Sequence, residues 1–284
     1  MAAPAEYSFE RYLAAKRAID DRSLNLHVWQ ALLAALPDVR PLQVLEIGAG
    51  IGTMLDRMRA WEFPALFDYT GIDADAGSVA TARARHKLPQ PNVNFEAIDL
   101  DGLLAREHGG RKWHLLIAHA FMDLVDAERV LPGMLQLLHP GGLLYLTLNF
   151  DGVTTLLPAV DAELDARLER RYHQTMDERV VGGRRAGHSR TGRQLLMFLP
   201  EAGATLLASG SSDWVVHATP FSYPEDAEYF LHYIIHTMQA ALADSPHFSH
   251  AELDAWAAHR HRQAANQTLV YVAHQLDFLA QAPR

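Results

Sequence analysis

The chain contains no cysteine. That excludes disulfides, thiolate metal ligands and a cysteine nucleophile, and it suits a reducing compartment. Long hydrophobic runs are missing too. No stretch reaches the roughly eighteen consecutive apolar residues of a membrane span, and the N-terminal MAAPAEYSFERYLAAKRAIDD has no uninterrupted apolar core of signal-peptide length. A soluble, cytoplasmic protein with no membrane partner is expected. Positive charge is in deficit: 25 Lys and Arg stand against 34 Asp and Glu, for a formal net charge of −9 and a pI near 5.9. A field of that sign repels a polyanion over most of the surface, so nucleic acid is not expected as a partner. Proline and glycine are close to ordinary usage, and no internal repeat or low-complexity segment stands out. What is present is 284 residues, 49% of them apolar, which is enough for one large α/β core with additions.

From Leu42 to Phe150, short β-rich runs alternate with helical patterns, as in a parallel sheet covered on both faces. The strands are read at QVLEI (43–47), DYTGID (68–73), NVNFEAI (92–98), WHLLIAHA (113–120) and GLLYLTLN (142–149). Their near-continuous apolar character suits burial on both faces. Phe9 to Leu36 reads as one or two cap helices. After Asn149 comes a polar, arginine-bearing stretch, then a helix near 194–202 and two β runs, ATLLAS and DWVVHA, read as a hairpin closing the sheet edge. From Pro224 onward the pattern reads as helical to the end, and Ser249 with Glu252 has the spacing of a capping box.

The segment VLEIGAGIG, residues 44–52, runs from a strand through glycines into a helical pattern. Glycine at 48, 50 and 52 lets the backbone bend sharply and a ligand lie against it. A dinucleotide fingerprint would place its third glycine where this chain has Thr53. Here the glycines fall at every second position, and an acid, Glu46, stands two residues before the first. This arrangement resembles the first motif of the class I S-adenosylmethionine-dependent methyltransferases. The resemblance implies that Glu46 helps hold the amino end of the methionine moiety. Asp73 ends the second strand, within reach of a ribose whose two hydroxyls a carboxylate can accept, although it would serve NAD equally well. The third strand ends in AlaIleAspLeu, where Asp99 resembles the family acid that takes the adenine amino group, with the Leu100 N–H beside it. Ala49 and Ala74, next to these groups, complete the expected cofactor contacts. A glycine turn alone could be purely structural, and Asp73 or Asp99 alone could cap a helix. Their joint positions favour the cofactor. Asp75 reads as the N-cap of the next helix.

Other candidates are less specific. His119 ends the fourth strand, where it could act as a general base or simply pack beside the cofactor. The pairs His232/His236 and His259/His261 invite a metal reading, but no HExxH accompanies them and no metal is expected. RRAGHSRTGR, residues 184–193, is the one basic cluster. It reads either as a mobile lid whose Arg184 and Arg185 hold a carboxylate or phosphate of the acceptor, or as a solvated loop. Tyr12, Arg17, Asn25, Phe121, Tyr223 and Tyr233 complete the acceptor-site candidates; Arg17 could equally pair with acids on its own helix.

These readings combine into an α/β protein with a Rossmann-like, seven-stranded, mostly parallel sheet, helices on both faces and helical caps at both ends. The expected division is a cap over 1–40, a class I methyltransferase core over 41–220 with the arginine-bearing insert at about 151–193, and a helical extension over 221–284. The expected function is S-adenosylmethionine-dependent methylation of an O, N or C nucleophile on a small molecule, an anionic acceptor being one the sequence allows, with S-adenosylhomocysteine as product. The rivals are an NAD-dependent oxidoreductase and a methyltransferase-like protein with a binding or regulatory role. The oligomeric state is left open, a homodimer being one arrangement the sequence allows.

Overall fold

The apolar runs between Leu42 and Asn149 are strands and the stretches between them are helices, in a computed structural model that describes residues 4, 6–220 and 222–284. In chain order the elements are α1 (Phe9–Ser23), α2 (Leu26–Ala35), β1 (Leu42–Ile47), α3 (Thr53–Ala60), β2 (Phe67–Asp73), α4 (Ala76–Arg85), β3 (Val93–Ala97), α5 (Leu100–Arg106), β4 (Trp113–His119), α6 (Ala127–Gln136) and β5 (Leu138–Leu157). There follow α7 (Ala162–Asp177), β6 (Val180–Val181), β7 (Arg184–Arg185), α8 (Thr191–Glu201), β8 (Thr205–Ser211), β9 (Trp214–Val216), α9 (Ala227–Leu242), α10 (His250–Ala265) and β10 (Val270–Gln281). The chain divides into two compact units. One comprises Leu24–Asp151, Arg190–Ser212 and Gln275–Arg284, and the other Met1–Ser23, Gly152–Ser189 and Asp213–His274.

The first of these is the α/β unit. Its strands follow the order β3-β2-β1-β4-β5-β10-β8, with β1 parallel to β2 and β4, β2 parallel to β3, β4 parallel to β5, and β10 antiparallel to β8. Side chains alternate across a strand, and two separate apolar cores result. Leu116 and Ala118 of β4 pack with Leu103, Val130, Leu131, Leu195 and Leu199 of α5, α6 and α8. Leu115 and Ile117 pack with Val28, Leu32, Leu55, Met58 and Val79 of α2, α3 and α4. A strand whose two faces both meet helices has no polar side, which accounts for the unbroken apolar run in its sequence. The chain passes from β1 outward to β2 and β3, then returns to place β4 on the other side of β1. Such a reversal opens a crevice at the carboxyl ends of the two adjacent strands.

The second unit holds α1, α7, α9 and α10 with the β6–β7 hairpin and the pairing of β9 with residues 271–273. Buried polar groups bind it internally. Asp165 accepts from Trp256 Nε1 at 2.8 Å and pairs with Arg260 at 2.8 Å, while Asp20 accepts from Trp214 Nε1 at 3.0 Å and pairs with Lys16 at 3.0 Å. Ser249 and Glu252 form the expected capping box at the start of α10.

Several expectations need correction. ATLLAS and DWVVHA do not pair as a hairpin, because β8 and β9 each pair antiparallel with a different part of β10. β10 itself lies in a segment expected to be helical. Gln267, with φ 60, breaks the helix after α10, and residues 270–276 then alternate between half-buried and buried, the period of a strand. The sheet therefore has β9 in addition to the seven strands of its main path. The fifth strand continues past Asn149 to Leu157, and the supposed polar insert contains α7 and a short hairpin. The N-terminal cap is indeed two helices, but α1 and α2 fall in different units.

Candidate active site

β1 ends at Ile47, and the chain turns through Gly48, Gly50 and Gly52 with φ of 69°, 51° and 79°. L-residues rarely adopt that region, so the local geometry itself calls for glycine. Two of the positions are also sterically closed: a Cβ on Gly48 would lie 2.7 Å from Phe121 Cδ2, and one on Gly52 would lie 2.6 Å from His86 Nε2. The loop is pinned by its neighbours. The Ala49 N–H donates to the Ile72 carbonyl at 2.9 Å and the Gly50 N–H donates to Asp73 Oδ2 at 2.8 Å.

The three acids at the strand ends have different surroundings. Glu46 is buried on β1, between Gly71 of β2 and Ile117 of β4, and accepts from the Tyr69 hydroxyl. Burial pushes its carboxyl up to about 8, partly opposed by the Tyr69 hydrogen bond and the Arg57 charge. Asp73, half-buried at the end of β2, also accepts the Asp75 N–H at 2.9 Å, with Ala74 exposed beside it. Asp99 is exposed and caps α5 by accepting the Gly102 N–H at 2.7 Å, and Leu100 is the first residue of that helix. The N–H groups of a helix's first turn have no partner within the helix. Asp75 caps α4 through the Ser78 N–H, as its position in the sequence suggests.

His119, at the end of β4, lies beside a group that the sequence reading missed. Arg57, on α3, is buried, with Nη1 3.2 Å from His119 Nε2 and 3.3 Å from Thr53 Oγ1. His119 Nδ1 in turn lies 2.8 Å from Thr147 Oγ1 on β5. A signal was available, because Arg57 falls three residues after Met54 and beside Met58 on the inward stripe of α3. Ala120 and Leu148, the residues after His119 and Thr147, both have positive φ, 50° and 54°, without being glycine.

Asn25 also belongs to the α/β unit, and its groups are taken up there. Its Oδ1 caps α2, its Nδ2 donates to the Ser211 carbonyl at 2.9 Å, and its N–H donates to Asp277 at 2.8 Å. Phe121, beside Gly48, lies in the α/β unit as well, and the other acceptor-site candidates lie in the second unit. Tyr12 stacks on Tyr233 with ring centroids 4.2 Å apart, so these two are brought together. Arg17 pairs with Asp21 at 3.7 Å, the alternative reading on its own helix. Tyr223 is buried and donates to the Leu269 carbonyl at 2.7 Å. Arg184 and Arg185 are exposed on β7, and the basic run they begin is split between the two units after Ser189. Its other end is bound in the α/β unit, where Arg193 Nε donates to Asp151 at 2.8 Å. The histidines pair differently from their sequence spacing: His232 and His261 face each other with Nδ1 atoms 2.7 Å apart, and His236 stacks on Tyr7. Among the described residues, no group of three or more His, Asp or Glu is placed to hold a metal ion, and no helix is long and apolar enough to cross a membrane.

Comparison with known proteins agrees with this architecture. A family profile described as a methyltransferase domain matches residues 44–142. The 3-methylorcinaldehyde synthase of Talaromyces stipitatus is 31% identical over 125 residues, a match that covers 40% of this chain and 4% of that protein. Among solved structures, a chain from the complex between the Haloferax volcanii Trm112 methyltransferase activator and a methyltransferase superposes with a TM-score of 0.50 at 15% identity, covering 99% of this chain and all of that one. Phosphoethanolamine N-methyltransferase 2 of Haemonchus contortus, solved with phosphomonomethylethanolamine and S-adenosylhomocysteine, gives a TM-score of 0.48 at 15% identity and covers 99% of this chain and 61% of that one. The chain thus spans less than two thirds of the Haemonchus enzyme and a small fraction of the Talaromyces synthase. Residues 44–142 thus match a methyltransferase-domain profile, and they lie in an α/β unit whose strand order is Rossmann-like.

Proposed function

We propose that the protein transfers the methyl group of S-adenosylmethionine to an O, N or C nucleophile of a small-molecule acceptor. The observation that carries this reading is the glycine turn at the carboxyl end of β1, with carboxylates at the ends of the three adjacent strands β1, β2 and β3. The donor set suits the cofactor: buried Glu46 faces a cationic amino group, Asp73 can accept from the ribose, and Asp99 with the Leu100 N–H can pair with the adenine edge. Gly48, Ala49, Gly50, Gly52, Ala74 and His119 complete the enclosure. When bound, the cofactor would supply an electrophilic methyl on a sulfonium, chemistry that asks the protein mainly for positioning. Aromatic side chains suit a largely apolar acceptor pocket, and Phe121, beside Gly48 in the α/β unit, is assigned to it. A chain without cysteine suits a reducing, cytoplasmic setting.

Calorimetric titration of the purified protein with S-adenosylhomocysteine tests the reading. Binding that disappears in a folded Gly50→Val protein is expected, because a branched side chain at φ 51° disrupts the loop. Binding of NAD in its place would transfer the site to the oxidoreductase reading. Cofactor binding without methyl transfer to any member of a broad acceptor panel would favour a regulatory protein.

A further inference from the structure

A guanidinium keeps its charge in any surroundings, and burying it is costly unless its N–H groups are matched. Arg57 is 1% exposed, on a helix whose other inward side chains include Met54, Leu55 and Met58. It can donate but never accept. The nitrogen it meets at 3.2 Å, Nε2 of His119, must therefore be the accepting one. The proton of a neutral ring then sits on Nδ1, 2.8 Å from the Thr147 hydroxyl. A backbone bond runs alongside, from the Ala120 N–H to the Thr147 carbonyl at 2.8 Å. The next residue, Leu148, donates its N–H to buried Asp277 at 2.8 Å. Past the last paired residues of β4 and β5, His119 and Thr147, the chain thus runs through left-handed, non-glycine residues that hydrogen bonds hold in place.

We propose that Arg57 is a positioning residue of the cofactor site: it holds His119 as the neutral Nδ1–H tautomer and so ties the helix that follows the glycine loop to the end of β4 and, through His119, to Thr147 of β5. The role toward the cofactor rests on the methyltransferase reading; the tautomer does not. A ring held in this way is not available as a base. Its one free lone pair accepts from Arg57, and a proton placed there would break that bond and set a second cation against the guanidinium. His119 therefore shapes the site and leaves the acceptor's proton to another group or to water. Arg57 also favours ionisation of the neighbouring Glu46, which is the state that would bind an ammonium group.

Nitrogen-15 NMR of the cofactor-free protein, with His119 assigned by difference from His119→Gln, tests the tautomer directly. The expected spectrum shows a protonated Nδ1 and an unprotonated Nε2, unchanged between about pH 6 and 8, the range in which a free imidazole titrates. An Nε2–H tautomer, or a ring that titrates in that range, overturns the proposal. In Arg57→Met the ring should begin to titrate, and the affinity for S-adenosylhomocysteine should fall by about tenfold or more, one charged contact. Arg57→Lys, with a single donor group, should lie between. Unchanged affinity in a folded Arg57→Met protein overturns the positioning role. Failure of the wild-type protein to bind S-adenosylhomocysteine would instead overturn the functional reading, with the tautomer still judged by the spectrum.

Discussion

Asp73 accepts the backbone N–H of Gly50 at 2.8 Å through one carboxylate oxygen and that of Asp75 at 2.9 Å through the other. The acid assigned to the ribose is thus also the clasp that closes the glycine loop onto the end of β2. An ionised carboxylate has about four acceptor positions, so both tasks can be met together.

Asp73→Ala should then lower S-adenosylhomocysteine affinity by at least about 2 kcal/mol, because the ligand loses an acceptor and the loop loses its clasp. Asp73→Asn, which keeps one acceptor oxygen, should fall between Asp73→Ala and wild type. Calorimetric titration measures both, and wild-type affinity in Asp73→Ala would remove the acid from the site.

Gly48 and Phe121 should be energetically coupled. Placing alanine at 48 costs roughly 1–2 kcal/mol for the left-handed backbone alone, and its Cβ would overlap a ring carbon at 2.7 Å. Phe121→Leu in the same chain should recover the overlap but not the backbone term. A double-mutant cycle by urea unfolding checks this, and strict additivity of the two changes would contradict the contact.

Glu46 should give the protein a distinct pH signature. The unfolded chain releases this proton near pH 4.3, whereas burial holds it in the folded protein to about 8. Between those values the folded state binds more protons, so the group's contribution to stability is full below about pH 4.3 and is lost as pH rises through about 8. Glu46→Gln should remove that part of the decline in a urea-unfolding series. Below pH 8, binding an ammonium group against Glu46 should also release up to one proton, and none in Glu46→Gln. Calorimetry in buffers of different ionisation enthalpy counts that proton, and an equal count in the two proteins would exclude Glu46 as the amino ligand.

In the second unit, Arg260 is fully buried against Asp165 and also donates to the Pro158 carbonyl and to Gln263. Arg260→Met should destabilise the protein by about 3–5 kcal/mol, because it removes the cation from the buried Asp165 carboxyl and leaves it to Trp256 and the Val160 N–H. Asp165→Asn with Arg260→Met should be less damaging than Arg260→Met alone. Denaturant unfolding followed by tryptophan fluorescence measures both, and an effect below about 1 kcal/mol would mean that water reaches the pair.

The sheet between Leu42 and Asn149 was legible because each of its signals is local. A strand buried on both faces is apolar throughout, a glycine turn is visible as glycines, and a cap such as Asp75 or Ser249 lies within three residues of the N–H it serves. β10 was not legible, because it follows α10 closely and its strand character is set by pairing with β8 and β9, more than fifty residues earlier in the chain. Intrinsic preference for a strand is weak beside such pairing.

What the sequence determined by itself is therefore the run of parallel strands, the bend after Ile47 and the acids at three strand ends, all consequences of short-range sterics and of the apolar period. Only the tertiary structure decided which groups are partners: Arg57 meets His119 across 62 residues of sequence, Asp73 turns back 23 residues to Gly50, and His232 faces His261 rather than its helical neighbour His236. Local preference cannot select such pairs. Their hydrogen bonds form only where packing has already removed water from both partners, and that burial is a property of the whole fold.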